Sequence, residues 1–311
     1  MSYRLRRTGA LAEAYARSES LHRQHGRSYY LATRLLPAAK RPHVHALYGF
    51  MRYADDIVDA LADADERQRG LDDFAAAFLT GLGGGPVGDP VLPAVLDTIA
   101  EYDLDLEDFD KFLRSMAMDL KVTGYPTYDD LLGYMEGSAA VVGTLLLPIL
   151  GVVPGASMPA AREAARQLGL GFQFTNMIRD VADDLERGRV YLPEEDLSRY
   201  GVTREVLARD ASAGVSSEPV RALIRHEYGR AVEHYRAALP GLPMLEPRSR
   251  ICVRAATLLY GGILDAIRRN GYEVLAGRVR VSRGRRAYLV GCALSGRLFA
   301  TRTAVWDVRR A

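Results

Sequence analysis

Two acid-rich segments lie far apart in the chain, and each follows the spacing of one face of an α-helix. The first is Asp55-Asp56-Ile57-Val58-Asp59 and the second is Asp180-Val181-Ala182-Asp183-Asp184. Because residues four apart share a helix face, Asp55 aligns with Asp59 and Asp180 with Asp184. Apolar residues flank both segments, so we expect both faces to meet in an interior. There the carboxylates would repel one another unless cations neutralised them.

The residue types in these segments suit a hard divalent cation. Carboxylate and amide oxygens are typical ligands of Mg²⁺, with Mn²⁺ as the alternative ion, and proteins commonly use Mg²⁺ to hold a diphosphate. Gln173, Asn176, Asp180 and Asp184 follow a 3-4-4 spacing, which predicts one polar line along a helix. Arg52 shares the stripe of the first segment. An acidic surface stripe paired with arginine is the alternative for either segment alone; the presence of two favours the metal site.

Helical periodicity dominates the chain, and no strand pattern stands out. With 48% hydrophobic and 26% charged residues, the composition is that of a globular protein. We predict one all-α domain over 1–311. The glycine-rich stretch 81–86 lacks the Gly-Lys-Ser/Thr of a phosphate-binding loop and is interpreted as a surface loop. The predicted helices are 10–25, 28–37, 43–63, 69–81, 91–101, 106–121, 127–151, 159–186, 203–212, 217–238, 247–270 and 282–297.

Cysteine content and the N-terminus favour a cytoplasmic protein. Cys252 and Cys292 are the only cysteines, which is too few for a disulfide framework or a cysteine-based zinc site. No apolar stretch follows the arginines of 1–7, so no signal peptide is predicted. The most apolar segment, 139–153, is shorter than the roughly 20 residues that span a bilayer. It is interpreted as a buried helix, with a membrane-dipping element as the minority reading.

The C-terminal segment 278–311 is basic although the whole chain carries a net charge of only +2. Three interpretations remain open: a solvated helix face, a patch that binds the anionic inner face of a membrane, and a nucleic-acid site. Nucleic acid is the least favoured, because few aromatic residues are present for base stacking. The oligomeric state is left undefined. The arginines are Arg278, Arg280, Arg283, Arg285, Arg286, Arg297, Arg302, Arg309 and Arg310, against the single acid Asp307.

Several motifs, in the same order, resemble those of the phytoene/squalene synthase family, and the bacterial phytoene synthase branch in particular. The two strongest are the run from Tyr48 to Asp59 and the run from Gln173 to Asp184, which is followed by Arg187-Gly188-Arg189-Val190-Tyr191-Leu192-Pro193. The weaker ones are 28–37, 134–143, 258–260 and 271–274. Three positions depart from the family pattern: Met51 replaces a cysteine, Ala139-Ala140 replaces Ala-Gly, and Glu136 adds a charge.

The resemblance implies an all-α, class I terpenoid synthase-like bundle with a central cavity. It also implies the joining of two geranylgeranyl diphosphates, head to head, through a cyclopropyl diphosphate to phytoene, without NADPH. Asp55, Asp56 and Asp59 would hold Mg²⁺ on one diphosphate, and Asn176, Asp180 and Asp184 on the other. Arg52 and Tyr48 are the further catalytic candidates. The candidate substrate-binding residues are Ser28, Tyr29, Arg52, Gln173, Asn176, Arg179, Arg189, Tyr191, Tyr134 and Tyr260.

Three alternatives stay open beside this reading. Farnesyl diphosphate as substrate would give squalene or dehydrosqualene, with NADPH required for squalene; the chain shows no dinucleotide-binding fingerprint. Head-to-tail prenyl synthases and terpene cyclases are disfavoured by the Arg-Asp-x-x-x-Asp motif followed by Arg-Gly-Arg-x-Tyr-Leu-Pro. A catalytically inactive binding scaffold would be expected to have lost metal-facing aspartates, and this chain retains them.

Overall fold

The structure, a computed structural model, describes residues 9–60 and 63–296, and within them the predicted all-α class is confirmed. In that part of the chain the β pairing is limited to a single antiparallel bridge between Val152 and Leu245. The helices are α1 (Ala10–His25), α2 (Arg27–Thr33), α3 (Arg41–Val58), α4 (Ala64–Leu82), α5 (Leu92–Tyr102), α6 (Leu106–Asp119), α7 (Tyr128–Met135), α8 (Val141–Leu150), α9 (Met158–Arg179), α10 (Val181–Glu186), α11 (Glu194–Arg199), α12 (Arg204–Ala213), α13 (Glu218–Ala238), α14 (Pro247–Arg269) and α15 (Arg283–Ser295). A π-helical turn, Glu136–Ala140, joins α7 to α8, and a 3₁₀ turn, Leu239–Met244, precedes α14.

Helix α3 packs in the centre of one half of the bundle, against α1, α4, α5 and α6. Phe50 on α3 is fully buried, and its ring contacts the rings of Phe74, Phe78, Phe109 and Phe112. Burying a side chain of this size stabilises the fold by about 1.5–3 kcal/mol. This aromatic core anchors the buried face of α3 and so orients the acidic end of the helix.

Helix α3 ends at Val58, five residues earlier than the predicted helix 43–63. The N–H of Asp59 still bonds the carbonyl of Asp55, at 2.9 Å, as the last bond of the helical ladder. The sequence does not reveal where α3 ends, because the acidic residues continue the helical spacing beyond the last turn. Asp55 and Asp59 keep the shared face that their spacing predicts.

Helix α9 approaches α8 and the preceding π-helical turn so closely that a glycine is required at each of two contacts. A Cβ added to Gly143 would lie 2.1 Å from the carbonyl oxygen of Ala165, and one added to Gly169 would lie 2.3 Å from that of Ala139. Backbone atoms cannot yield at such distances without moving a helix. The glycines therefore let α8 and α9 form one continuous wall of the molecule's interior.

The predicted helix 159–186 is wrong as one straight element. Helix α9 ends at Arg179, Asp180 takes a non-helical conformation (φ −103°, ψ 15°), and α10 begins at Val181. The ladder bonds from Asp180 N–H to Asn176 and from Asp184 N–H to Asp180 persist, at 2.8 and 2.9 Å. The polar line therefore bends at Asp180 without being broken.

Helix α11 was not predicted. It has only six residues after Pro193, too few for an apolar period to emerge. Its Asp196 is almost fully buried and bonds the guanidinium of Arg230 on α13. Tertiary pairing, rather than helix propensity, explains this helix.

The segment Tyr128–Leu150 is a continuous helix of 23 residues, long and apolar enough to cross a membrane by length and composition, and 56% of its most apolar window is buried inside the protein. The overlapping segment 139–153 was predicted as a buried helix, and Tyr128–Leu150 packs on α6 and α9. Cys252 and Cys292 are free and buried, so they form no disulfide. Residues 1–8, 61–62 and 297–311 lie outside the described part of the chain, and with them Arg297, Arg302, Asp307, Arg309 and Arg310.

Candidate active site

A cavity of about 680 Å³ lies at the centre of the bundle, and its two ends differ in character. Acidic and basic side chains from α3, α9 and α10 line one end. The other end is lined by aliphatic and small residues of α8, α9 and the 3₁₀ turn, namely Val142, Leu146, Leu147, Leu150, Ala161, Ala164, Leu168, Gly241, Leu242 and Leu245. Its size is typical of a small-molecule site. The cavity suits a ligand with a charged head and a long apolar tail.

The first acidic cluster consists of Asp55, Asp56 and Asp59, at the end of α3. Arg52, one turn earlier on the same helix, donates to Asp55 at 2.8 Å and also bonds Asp56. Burial, together with the neighbouring charge of Asp59, raises the pKa of Asp55 to about 6. Asp55 and Asp59 line the cavity, whereas Asp56 does not.

The second acidic cluster consists of Asp180, Asp183 and Asp184, where α9 bends into α10. Arg179 donates to Asp180 through Nε at 2.7 Å, and Arg278 reaches the same carboxylate at 2.9 Å from a loop 98 residues away. Burial and the charge of Asp180 raise the pKa of Asp184 to about 7. All three carboxylates line the cavity.

The segment after α10 connects the two clusters. Arg189 donates to Asp59 of the first cluster at 3.2 Å and to the backbone oxygen of Asp119 at 3.1 Å. The N–H of Val190 bonds the carbonyl of Thr123 at 2.9 Å, which holds this segment alongside the end of α6. Arginines that follow the second motif in sequence therefore neutralise the first cluster in space.

Asp119 is a buried cavity residue that the sequence motifs did not reveal. Its two carboxylate oxygens accept one hydrogen bond each, from Tyr134 at 2.8 Å and from Tyr191 at 3.2 Å. Burial raises the pKa of Asp119 to about 6, although both tyrosines and Arg189 favour the charged form. One feature of the sequence could have indicated Asp119. Phe112, Met116 and Asp119 follow a 4-3 spacing on the buried face of α6, so an acidic residue occupies the last position of an otherwise apolar stripe.

Aromatic rings stand at both sides of the acidic end. His22 stacks on Tyr48 with ring centroids 4.1 Å apart, and its Nδ1 lies 2.9 Å from Nδ1 of His45. Burial lowers the pKa of His22 to about 3 and that of His45 to about 4, so both rings are neutral. On the other side, Tyr29 stacks on Tyr260 at 4.5 Å.

The structure brings together most of the residues that the sequence predicted for the site. The predicted residues that line the cavity are Tyr29, Tyr48, Arg52, Asp55, Asp59, Tyr134, Gln173, Asn176, Arg179, Asp180, Asp184, Arg189, Tyr191 and Tyr260. Ser28 and Asp56 are not among the lining residues. The charged and ionisable lining residues that sequence reasoning did not assign to the site include Asp119, Asp183, Arg278 and His22. Arg278 was attributed only to the basic C-terminal segment.

The donor set at the acidic end fits Mg²⁺. Oδ1 of Asn176 is buried without a hydrogen-bond partner, although it lies among carboxylates that line the same cavity. An amide oxygen that is buried without a hydrogen-bond donor destabilises the folded protein unless a cation or a ligand binds to it. Within residues 9–60 and 63–296, no three His, Cys, Asp or Glu side chains already converge in ligand geometry. The arginines hold the carboxylates instead, so metal binding requires these side chains to turn.

Comparison with known proteins agrees with the fold and identifies the family. The family model described as squalene/phytoene synthase matches residues 22–285. The chain is 33% identical to a chloroplastic phytoene synthase of Daucus carota, over 94% of this chain and 73% of the relative. It is 32% identical to a 15-cis-phytoene synthase of Synechococcus elongatus, over 89% of this chain and 91% of the relative.

Two solved structures show the same architecture. A dehydrosqualene synthase in complex with a ligand superposes with a TM-score of 0.83 at 28% identity, over 92% of this chain and 97% of that one. A squalene synthase from Alicyclobacillus acidocaldarius gives a TM-score of 0.73 at 27% identity, over 85% and 99%. The fold and site define an all-α isoprenoid synthase with two facing acidic clusters. The chain belongs to the squalene/phytoene synthase family, as its motifs predicted.

Proposed function

We propose that this protein is a phytoene synthase, a prenyltransferase that joins two geranylgeranyl diphosphates head to head and releases both diphosphates. The observation that carries the proposal is the identity of 33% to the Daucus carota phytoene synthase over nearly the whole chain, in a protein whose two acidic clusters face one cavity. The squalene-type reaction on farnesyl diphosphate is the second candidate, because the solved structures described above are dehydrosqualene and squalene synthases.

The acidic end divides into two diphosphate sites in this proposal. Asp55, Asp56 and Asp59 would hold Mg²⁺ at one diphosphate, and Asn176, Asp180 and Asp184 at the other. When bound, the metal neutralises the leaving diphosphate and so lowers the barrier to cleaving the allylic carbon–oxygen bond. Ser28, which does not line the cavity here, would reach a diphosphate only after movement of α2.

The arginines provide the remaining charge at the diphosphates. Arg52, Arg179, Arg189 and Arg278 now bond aspartates, and each guanidinium can exchange that carboxylate for phosphate oxygens of similar geometry. Gln173 lies beside Asn176 and orients its amide group, with Nδ2 of Asn176 3.4 Å from Oε1 of Gln173. These side chains would bind and orient the two diphosphates so that their allylic carbons meet.

The apolar end would hold the prenyl chains and exclude water. Cleavage leaves an allylic cation, which the second substrate's double bond attacks to form a cyclopropyl diphosphate; a second cleavage, rearrangement and proton loss then give phytoene. The rings of Tyr48, Tyr134 and Tyr260 line the route. A cation over such a ring is stabilised by roughly 0.5–2 kcal/mol. The aliphatic wall offers no nucleophile that would trap the cation.

Product analysis tests the proposal. Purified protein with Mg²⁺ is incubated with geranylgeranyl or farnesyl diphosphate, with and without NADPH, and the hydrocarbons are identified by mass spectrometry. We expect phytoene from the twenty-carbon substrate without NADPH. A thirty-carbon product alone would move the protein to the squalene-type reaction, and no product from either substrate would favour the inactive scaffold.

Removal of the metal is the second test. Chelation by EDTA is expected to abolish turnover, and Mg²⁺ or Mn²⁺ is expected to restore it, because the crowded carboxylates would otherwise repel the diphosphates. Turnover that persists in a thoroughly chelated sample would contradict the metal assignment.

We further propose that the protein is cytoplasmic and associates with the inner face of the membrane, where a water-insoluble hydrocarbon would be released. Exposed side chains of the basic C-terminal segment support the proposal. In α15, Tyr288 and Leu294 are 47% and 56% exposed, and the basic Arg283 at its start and Arg280 just before it are also exposed. Exposed apolar and basic side chains in one segment are typical of peripheral binding to anionic lipid.

Vesicle co-sedimentation tests this surface. Anionic vesicles should bind the wild type more strongly than a variant with Arg280→Glu and Arg283→Glu. The matched control, Arg69→Glu with Arg114→Glu, removes the same charge from α4 and α6. Equal binding by wild type and the α15 variant would remove membrane association from the proposal.

A further inference from the structure

The end of α6 places a carboxylate where the charged and apolar parts of the cavity meet. Asp119 follows Phe112 and Met116, which line the apolar wall on the same face of α6. On its other side, Arg189 joins the backbone oxygen of Asp119 to Asp59 of the first cluster, with bonds of 3.1 and 3.2 Å. A prenyl carbon that has just lost its diphosphate must lie near this boundary, because the bond that breaks connects the two parts of the substrate.

Two tyrosines lie beside Asp119 in the cavity wall. Tyr134 and Tyr191 both line the cavity, and their rings stack with centroids 5.7 Å apart. Each donates its phenolic proton to a different oxygen of Asp119, at 2.8 and 3.2 Å. Because each hydroxyl donates its only proton to the carboxylate, its oxygen can act only as an acceptor toward other groups. Arg189 already hydrogen-bonds the side chain of Tyr191.

We infer that Asp119 is the final proton acceptor of the reaction, acting through Tyr134 and Tyr191. This inference rests on the proposed phytoene synthase activity. In the last step a C–H bond next to the cationic carbon breaks, and its electron pair forms the new carbon–carbon double bond. The proton passes to the oxygen of Tyr134 or Tyr191 while that phenol's own proton moves to Asp119. The resulting carboxylic acid returns its proton to water after the product leaves.

The surroundings of Asp119 support this role. Burial raises the pKa of Asp119 to about 6, so it is ionised at neutral pH and yet a stronger base than an exposed aspartate. Burial raises the pKa of both tyrosines, so neither is a free phenolate. A phenol can therefore accept the proton only if it passes one on, and the carboxylate is placed to receive it.

A neighbouring tyrosine offers a matched control. Tyr125 belongs to the same group of rings, with centroids 5.3 Å from Tyr134 and 6.2 Å from Tyr191, and like Tyr134 it is almost fully buried. Its hydroxyl has no hydrogen-bond partner and does not reach Asp119. Tyr125→Phe therefore changes the same ring cluster without touching the proposed proton path.

The test measures what the enzyme makes from each geranylgeranyl diphosphate that it consumes. Wild type, Asp119→Asn, Tyr134→Phe, Tyr191→Phe, the double Phe variant and Tyr125→Phe are assayed with Mg²⁺. Products are treated with phosphatase and resolved into phytoene, the cyclopropyl alcohol and hydroxylated forty-carbon compounds. KM and kcat for substrate consumption are measured separately from the product ratio.

We expect Asp119→Asn and the double Phe variant to consume substrate with a nearly unchanged KM. Phytoene formed per substrate consumed should fall about 10²-fold, the low end of what a general base contributes, as the intermediate or water-trapped alcohols accumulate. Each single Phe variant should show a smaller diversion, because the other tyrosine remains, and Tyr125→Phe should match wild type.

An unchanged product ratio in Asp119→Asn and in the double Phe variant would overturn the inference, even if turnover slowed. If Asp119→Asn does not fold, as judged by circular dichroism, the Phe variants test the inference by themselves, because they remove only hydroxyl groups. Wild type that makes no forty-carbon hydrocarbon would instead refute the proposed function, so the two failures are distinguishable.

Discussion

The two acidic clusters look alike in sequence but are neutralised in different ways. Asp55 and Asp56 of the first cluster are held by Arg52, which lies three and four residues earlier on the same helix. Asp180 of the second cluster is held by its neighbour Arg179 and by Arg278, 98 residues further along the chain. The pairs of Arg52 with Asp55 and Asp56 form as soon as α3 forms, whereas the contact of Arg278 with Asp180 requires the completed bundle, as does that of Arg189 with Asp59. The Arg52 pairs can therefore be altered locally, whereas the Arg278 contact reports on tertiary structure.

The largest effect is expected when the second cluster loses its central carboxylate. Asp180→Ala should reduce turnover by about 10³-fold or more, because the metal that stabilises the leaving diphosphate loses a ligand. The fold should survive, because Asp180 is a charged residue in a bend rather than a packing residue. Steady-state rates and circular dichroism melting measure the two consequences.

The control for that change is Asp110→Ala, which removes an exposed aspartate that pairs with Arg114 on the surface of α6. Surface pairs of this kind contribute about 0–1 kcal/mol, so its activity and melting should match wild type. A folded Asp180→Ala protein with wild-type turnover would remove the second cluster from the mechanism.

A comparison of the two arginines sharpens the difference between local and long-range neutralisation. Arg52→Ala should lower kcat/KM by about 10²-fold, because a partly buried guanidinium bonded to two carboxylates is lost. Arg278 is 46% exposed, so Arg278→Ala should cost only about tenfold, and that loss should shrink as salt is added.

Arg269→Ala, at the exposed end of α14, is the control for both arginine variants and should leave kcat/KM unchanged. Equal losses from Arg52→Ala and Arg278→Ala, with the same salt dependence, would contradict the distinction between the two clusters.

The smallest expected effect concerns stability and pH in the metal-free protein. The pKa of Asp184 is raised to about 7 by burial and by Asp180. Below its ordinary pKa of about 4, a carboxyl group with a raised folded-state pKa is protonated in both states, and its stabilising effect on the fold is fully present. That stability is lost progressively as the pH rises from about 4 to about 7, where the group ionises in the folded protein as well. Asp184→Asn removes this penalty, so it should raise Tm by about 1–2 °C at pH 8.

The gain from Asp184→Asn should shrink as the pH falls below 7 and disappear near pH 4, the ordinary pKa of an aspartate, and scanning calorimetry with EDTA present would show it. Asp183→Asn, one residue earlier, serves as the comparison, because it removes a carboxyl group from the same cluster. A gain that grows as the pH falls would reverse the sign of the argument.

Much of the site follows from helical spacing alone. Asp55 with Asp59, and Asn176 with Asp180 and Asp184, reach the cavity because residues three or four apart share a helix face. That reasoning failed where local rules stop: Val58 ends α3, Asp180 bends the second line, and α11 exists because Asp196 finds Arg230. Ser28 and Asp56, predicted from the motifs, do not line the cavity in this arrangement.

The sequence by itself determined the all-α class, the family and the two polar lines, because these depend on residue order and on a helical period of 3.6 residues. Only the tertiary structure showed that Arg278 meets Asp180, that Arg189 meets Asp59, and that Asp119 meets two tyrosines. Such pairs join residues far apart in the chain. Their partners depend on how helices pack, and here that packing is set by close contacts such as Gly143 against α9.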